Sequence, residues 1–226
     1  MTVPVIAIDG PSGSGKGAVA SAVAGRLGFH LLDSGALYRI LGVAAHRAGL
    51  DFSDTAALSE LAANLEIEFG RTGPDSVHLA GEDISTAIRT DLGSRLASEV
   101  GAIPAARQAL HERQLAFRQP PGLVADGRDM GTVVFPDAPL KIFLTASVEE
   151  RAQRRYKQLI AKGIDAILPD LLRDLNERDA RDSQRSVSPL KPAEDAIVLD
   201  TTELSLPAVI EKVMDLVAER LPGTPS

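Results

Sequence analysis

The stretch Val5–Ala18, VIAIDGPSGSGKGA, constrains this chain more than any other. An apolar run ending at Asp9 passes through a glycine-rich loop into an Ala/Val-rich segment of helical character. Gly10, Gly15 and Lys16 fit the phosphate-loop pattern G-x-x-x-x-G-K-[ST]. In such a loop the glycines let backbone N–H groups turn toward phosphate oxygens, the helix N-terminus adds partial positive charge, and the lysine reaches the outer phosphates. The residue after the lysine ordinarily supplies a hydroxyl to magnesium. Here it is Gly17, followed by Ala18. Magnesium keeps several waters and needs only one or two protein ligands, so another residue can take that role. In related sites the other supplier is an acidic residue ending a second strand. Asp126 stands in such a place, with Asp9 and Asp33 as alternatives.

The rest of the chain supplies the frame this loop requires. VPVIAID (3–9), FHLLD (29–33), GLVAD (122–126), LKIFLT (140–145) and AIVLD (196–200) read as buried strands. Helical patterns lie near 15–27, 35–48, 104–118, 148–162, 168–184 and 206–220. This alternation predicts an α/β fold with a parallel sheet covered on both faces. Four of the five strands end in Asp, and ligands of such sheets sit outside the carboxyl ends of the strands. A helix near 54–63 and short strands in 65–69, 77–81 and 82–85, with a turn at 71–76, predict a small antiparallel insert. A helix near 87–99 leads back to the main sheet, and the tail 222–226 is expected to fray.

Charge and composition narrow the partners. With 24 basic and 31 acidic residues the chain carries a net charge of -7, which argues against wholesale nucleic-acid binding. It has no cysteine, so neither disulfides nor thiolate metal sites can form. No signal-peptide core and no apolar run of about 18 residues is present, so a cytoplasmic protein without membrane association is expected. Yet residues 151–185 hold nine Lys or Arg against six Asp or Glu, a net +3. A local cationic zone in an acidic chain suits a small anionic ligand.

Three further stretches qualify as acceptor-side chemistry. In LLDSGALYR, Asp33 or Ser34 can cap the following helix, Arg39 lies one turn inside it, and Tyr38 reads more readily as core. In ADGRDMG (125–131) too few apolar residues follow the strand to start a helix. Arg128 there could fork a phosphate, and Asp129 could accept from an exocyclic amine such as cytosine N4. A surface turn with a local ion pair would account for the same residues. In ERDARDSQRSVSPL, Arg178, Arg181, Asp182 and Arg185 fall on one helical face. Three arginines so placed repel one another unless something anionic sits among them. Together with Arg151, Arg154 and Arg155 they suit a phosphoryl clamp.

IDGPSGSGKG, LLDSGALYR, GEDISTAIR, LVADGRDMGTVVFPDAPLKIFL and ERDARDSQRSVSPL, in this order and spacing, resemble the bacterial cytidylate kinases from about Val3 to Leu221. The resemblance implies a P-loop nucleoside monophosphate kinase fold: a five-stranded parallel core at 1–59 and 100–226 with a lid near 150–163, and a monophosphate-binding insert at 60–99. It implies that Gly10, Pro11, Ser12, Gly13, Ser14, Gly15, Lys16, Gly17 and Ala18 cradle ATP. Ser34, Arg39, Arg128, Arg178, Asp182 and Arg185 would meet the CMP phosphate and ribose, with Tyr38 beside them. Ser98, Arg107 and Asp129 would read the cytosine ring, and Arg151, Arg154 and Arg155 would close as lid residues. The family's loop continues Lys-Gly-Thr or Lys-Gly-Ser, so Ala18, not Gly17, is the departure.

The implied reaction is Mg²⁺-dependent transfer of the ATP γ-phosphoryl group to CMP or dCMP by a monomer. Magnesium would be held by ATP oxygens and waters, with Asp126 acting through water. Two alternatives stay open on the sequence: a kinase for another small acceptor such as UMP, shikimate or dephospho-coenzyme A, and a non-catalytic ATP-binding switch. Asp129 with Arg107 separates the first, because uracil presents an acceptor where cytosine presents an amine. An arginine-lined second pocket would have no use in the second.

Overall fold

The computed structural model describes residues 3–73, 76–161 and 163–223. Lys162 of the cationic stretch, two residues of the 71–76 turn and the end of the tail lie outside them. The chain divides into two compact units, Met1–Asp33 with Leu115–Ser226, and Ser34–Gln114.

The first unit is built on five parallel strands: β1 (Val5–Asp9), β2 (His30–Asp33), β6 (Leu123–Gly127), β7 (Leu140–Thr145) and β8 (Ile197–Asp200), in the order β2-β6-β1-β7-β8. β1 lies in the middle, all five of its residues buried, which is why VIAID is a continuous apolar run and not an alternating one. Helices α1 (Lys16–Leu27) and α8 (Leu206–Arg220) bury Val19, Val23, Val213 and Val217 against Ile6, Ile8, Ile142 and Leu144. Gly15 precedes α1 and Gly28 ends it, both with positive φ, as glycine at a helix end readily adopts. The register sets Ile8 beside Asp126, Asp9 beside Gly127 and Asp33 beside Asp126. Three carboxylates therefore gather at one end of three adjacent strands. The strand order reverses direction across β1, the position at which open α/β sheets hold their ligands. Helices α6 (Val148–Ala161) and α7 (Leu168–Ser183) complete the unit.

The second unit contains α2 (Ser34–Arg47), α3 (Thr55–Ala63), α4 (Asp91–Val100), α5 (Pro104–Leu115, whose last residue falls in the first unit) and an antiparallel sheet of β3 (Ile67–Phe69), β4 (Val77–Leu79) and β5 (Glu82–Asp83). It is larger than the 60–99 insert read from the sequence. Its core includes Leu37, Leu41, Leu58, Ile84, Ile88 and Leu96. Gly42 lets α2 approach α4 closely: a Cβ there would stand 2.8 Å from that of Leu96. The single helix expected near 87–99 is two pieces, a 3₁₀ turn at Ala87–Arg89 and then α4. Thr90 causes the break. Its extended backbone stops the first piece, and its hydroxyl caps the second by accepting from the Gly93 N–H at 3.0 Å.

Candidate active site

The phosphate loop leaves β1 at Gly10, where no side chain fits, because a Cβ would fall 2.1 Å from the Leu144 carbonyl oxygen. The loop is held from behind by two arginines of α6. Buried Arg151 donates to the carbonyls of Ser12 (3.0 Å) and Ala146 (3.0 Å) and pairs with Asp179 of α7. Arg154 donates to the Ser14 carbonyl (3.3 Å) and to both the hydroxyl and the carbonyl of Thr201, with Glu150 as its ion-pair partner. Thr201, buried after β8, is hydrogen-bonded in turn to the Thr145 carbonyl at 3.0 Å. Two of the arginines read from the sequence as lid residues thus engage loop carbonyls in this structure. Arg155 follows them on α6, partly buried.

Lys16, the first residue of α1, is buried and donates to the Pro11 carbonyl at 3.2 Å across its own loop. Burial pulls its ammonium down to about 7; Arg128 adds to the fall, Asp126 opposes it, and Arg178 and Asp33 follow in smaller measure. A cation held this reluctantly gains from an anionic partner. The Ser14 hydroxyl is buried with no hydrogen-bond partner. A loop with an under-satisfied lysine, a buried hydroxyl and a helix N-terminus fits a polyphosphate.

The carboxylates at the strand ends differ in their surroundings. Asp9 accepts from the backbone N–H groups of Met130 (2.9 Å) and Gly131 (2.8 Å). Its carboxyl is pushed up to about 7, burial outweighing those two bonds, with the charges of Asp129 and Asp126 adding to the rise. Asp126 instead faces α1: its Oδ2 lies 3.1 Å from where a Cβ on Gly17 would stand. Gly17 and Ala18 are both exposed at the start of that helix. Among the described residues no group of three or more acidic or histidine side chains could hold a metal. One carboxylate beside the loop nevertheless suffices for magnesium that takes its other ligands from phosphates and water. Asp126 stands beside the start of α1, whereas both oxygens of Asp9 accept from backbone N–H groups of the following turn.

After β6 the structure does not form a simple surface turn, the alternative that the sequence left open. Met130–Val134 form one π-helical turn, with Phe135 N–H bonded to the Met130 carbonyl at 2.7 Å. The helix start that GRDMG lacks locally is supplied by the Asp9 carboxylate. Arg128, just before it, donates through Nε to Asp182 Oδ2 at 3.1 Å, and Arg185 pairs with the other oxygen of Asp182. Asp182 is 1% exposed. Burial alone would push its carboxyl up, but Arg128, Arg185 and Arg178 together hold it below the usual carboxylate range. Arg178 is partly buried on α7 and Arg185 is partly buried just beyond the end of that helix at Ser183, whereas Arg181 is exposed and donates back to the Glu177 carbonyl. The four-residue helical face expected there is not formed: the helix stops before Arg185, which reaches Asp182 from outside it, and Arg181 turns away. At about 100° per residue, Arg181 stands roughly 60° from Arg178, at the margin of that face.

In the second unit Ser34 is buried at the first position of α2, with Tyr38 and Arg39 one turn on. The Arg107 guanidinium lies 5.3 Å above the Tyr38 ring and donates to the Gly101 carbonyl at 3.0 Å. Tyr38 is therefore both core and a platform for Arg107. The Ser98 hydroxyl is buried with no hydrogen-bond partner, and a buried polar group in that condition calls for a ligand or a water. Sequence reasoning missed Asp179, Thr201 and the capping role of Asp9. Each acts on residues distant in the chain, and no local spacing marks it.

Residues 6–219 match the cytidylate kinase family model. A cytidylate kinase of Stutzerimonas stutzeri is 59% identical over 221 residues, 96% of this chain and 96% of its own. One of Pseudomonas aeruginosa is 59% identical over 217 residues, 94% of each chain. One of Cupriavidus necator is 56% identical over 213 residues, covering 94% of this chain and 95% of its own.

Proposed function

The chain belongs to the cytidylate kinase family, and on that premise we propose that it transfers the γ-phosphoryl group of ATP to CMP or dCMP, yielding CDP or dCDP, with Mg²⁺ bound to the triphosphate. The observation that carries this reading is the pairing of a phosphate loop with a separate arginine group, Arg128, Arg178 and Arg185, organised on Asp182. A nucleotide switch needs only the first.

ATP takes the loop 10–18, and Lys16 gives its charge to the phosphates. CMP is met by Ser34, Tyr38, Arg39, Ser98 and Arg107, and by Arg128, Asp129, Arg178, Asp182 and Arg185. The buried hydroxyl of Ser98 and the Tyr38–Arg107 stack support a base-reading role for that part of the second unit. The CMP phosphate oxygen attacks the γ-phosphorus in line. It is already anionic, so no general base is required, and catalysis consists of positioning and charge neutralisation. Arg128, Arg178 and Arg185 bind the acceptor phosphate. Arg151 and Arg154 fix the loop, and Arg155 is the α6 arginine best suited to reach the transferring group. Asp126 would hold magnesium through water, and the ion would supply neutralisation of the phosphate charge. The 150–163 segment serves as a lid that excludes water during transfer. Among the described residues no helix is long and apolar enough to cross a membrane. With nucleotides as substrates, we place the protein in the cytoplasm as a monomer that binds neither nucleic acid nor membrane.

The deciding experiment is a coupled steady-state assay of ADP release with ATP–Mg²⁺ against CMP, dCMP, UMP, AMP and GMP. CMP and dCMP should be the preferred acceptors. Tight ATP binding with no acceptor-dependent ADP release would overturn the reading.

A further inference from the structure

The turn carrying Asp129 is capped by a residue from another strand. A carboxylate preceding a helical turn usually caps it by accepting one of the first free N–H groups. Asp129 occupies that position, yet its side chain makes no such bond. Its backbone carbonyl accepts from the N–H groups of Val133 (2.9 Å) and Val134 (3.2 Å). The free N–H groups of Met130 and Gly131 go instead to Oδ1 and Oδ2 of Asp9, 121 and 122 residues away. Asp9 ends the wholly buried β1, so the cap is anchored on the central strand of the sheet. The far side of the turn is fixed as well. A Cβ on Gly131 would stand 3.1 Å from Cδ of Lys141, whose Nζ is bound to the Pro136 carbonyl and to Asp195.

From this we infer that Asp9 is a positioning residue for acceptor-base selection. By capping the turn that Asp129 precedes, it fixes the backbone that aims the Asp129 carboxylate at the base. The inference rests on the proposed base-reading role of Asp129. It assigns Asp9 no contact with substrate and no metal.

The test is Asp9→Asn, which keeps the shape but turns one accepting oxygen into an NH₂ donor facing a backbone N–H. The quantity to measure is the ratio of kcat/KM for CMP to that for UMP, together with KM for ATP and the thermal midpoint. A merely structural residue would lower the midpoint or scale both acceptors alike, leaving the ratio unmoved. We expect the ratio to fall about tenfold or more while KM for ATP changes less than about threefold, a tenfold loss being about 1.4 kcal/mol. A ratio within about twofold of wild type overturns the assignment. Should Asp9→Asn fail to fold, Gly131→Ala decides the matter, since it presses the same turn off the Lys141 stem without touching Asp9. An unchanged ratio there overturns the assignment, and a reduced one supports it. Asp129→Asn separates the two layers. If it leaves the ratio at the wild-type value, the base-reading role falls and this inference with it. If it collapses the ratio while Asp9→Asn does not, only the role of Asp9 falls.

Discussion

The carboxylate of Asp126 and the missing side chain of Gly17 occupy complementary space: Oδ2 stands 3.1 Å from the point at which a Cβ would be built. A residue with a side chain after Lys16 would crowd the carboxylate that is the site's best candidate for holding magnesium. Gly17 thus leaves room for the Asp126 carboxylate beside the start of α1.

Gly17→Ser should consequently lower kcat/KM about tenfold or more, about 1.4 kcal/mol in barrier, and raise the magnesium concentration needed for half-maximal rate. Asp126→Asn should shift the same magnesium titration in the same direction. Ala18→Thr, at an exposed position that touches neither, should change activity by no more than about tenfold. Magnesium titrations at saturating ATP and CMP check all three. If Ala18→Thr gave a gain far beyond tenfold, the natural loop would be the defective one.

The strand ends were legible in the sequence for a simple reason. A buried parallel strand is apolar along its length, so VIAID and GLVAD announce the strand ends at which Asp9 and Asp126 stand. The glycine loop and Lys16 were legible because their pattern is local. What the sequence hid is non-local. GRDMG lacks a helix start of its own, yet it begins a turn because β1 delivers a carboxylate to it. Arg151 and Arg154 read as lid residues of a phosphoryl clamp, but their guanidinium groups meet carbonyls of a loop some 139 and 140 residues earlier. Arg181 obeys the helical spacing and still points outward, because spacing specifies a face only to within its margins.

Those two arginines lead to a second expectation. Each binds an outward carbonyl of the phosphate loop, which holds the intervening amides in a fixed orientation. Arg154→Met should raise KM for ATP about tenfold with little change in KM for CMP. Arg154→Lys should recover part of the loss, since an ammonium cannot fork between Thr201 and Ser14. Arg151→Met should in addition cost about 3 kcal/mol of stability, because it leaves Asp179 and two carbonyls without their donor. Steady-state kinetics and thermal melts distinguish the two. Equal effects on both substrates from Arg154→Met would argue against a loop-holding role.

Lys16 sets a pH dependence of known sign. Its ammonium is held down to about 7 without nucleotide, chiefly by burial. Triphosphate oxygens restore a high pKa, so the bound state prefers the protonated form. Between about pH 7 and 10, ATP binding should take up a proton, and affinity should fall as pH rises through that window. Calorimetry at pH 8 in buffers of different ionisation enthalpy measures the uptake. It should approach one proton in the wild type and vanish in Lys16→Met. Zero uptake in the wild type would show that Lys16 is already charged in the free protein.

Asp182 carries the opposite sign. Arg128, Arg185 and Arg178 hold its carboxyl below the ordinary 3.8 despite burial. The stability it contributes is present above that value and is lost as pH falls through its depressed folded-state pKa. Asp182→Asn should cost about 3–5 kcal/mol at neutral pH, because it leaves buried arginine charge uncompensated. The gap between variant and wild type should narrow progressively below about pH 4. The same change releases Arg128 and Arg185 from their shared anchor, so kcat/KM for CMP should fall about 10²-fold or more while KM for ATP moves little. Urea melts from pH 3 to 8, read beside CMP kinetics, test both halves. A stability gap that persisted unchanged to pH 3 would mean that the arginines are balanced by some other group.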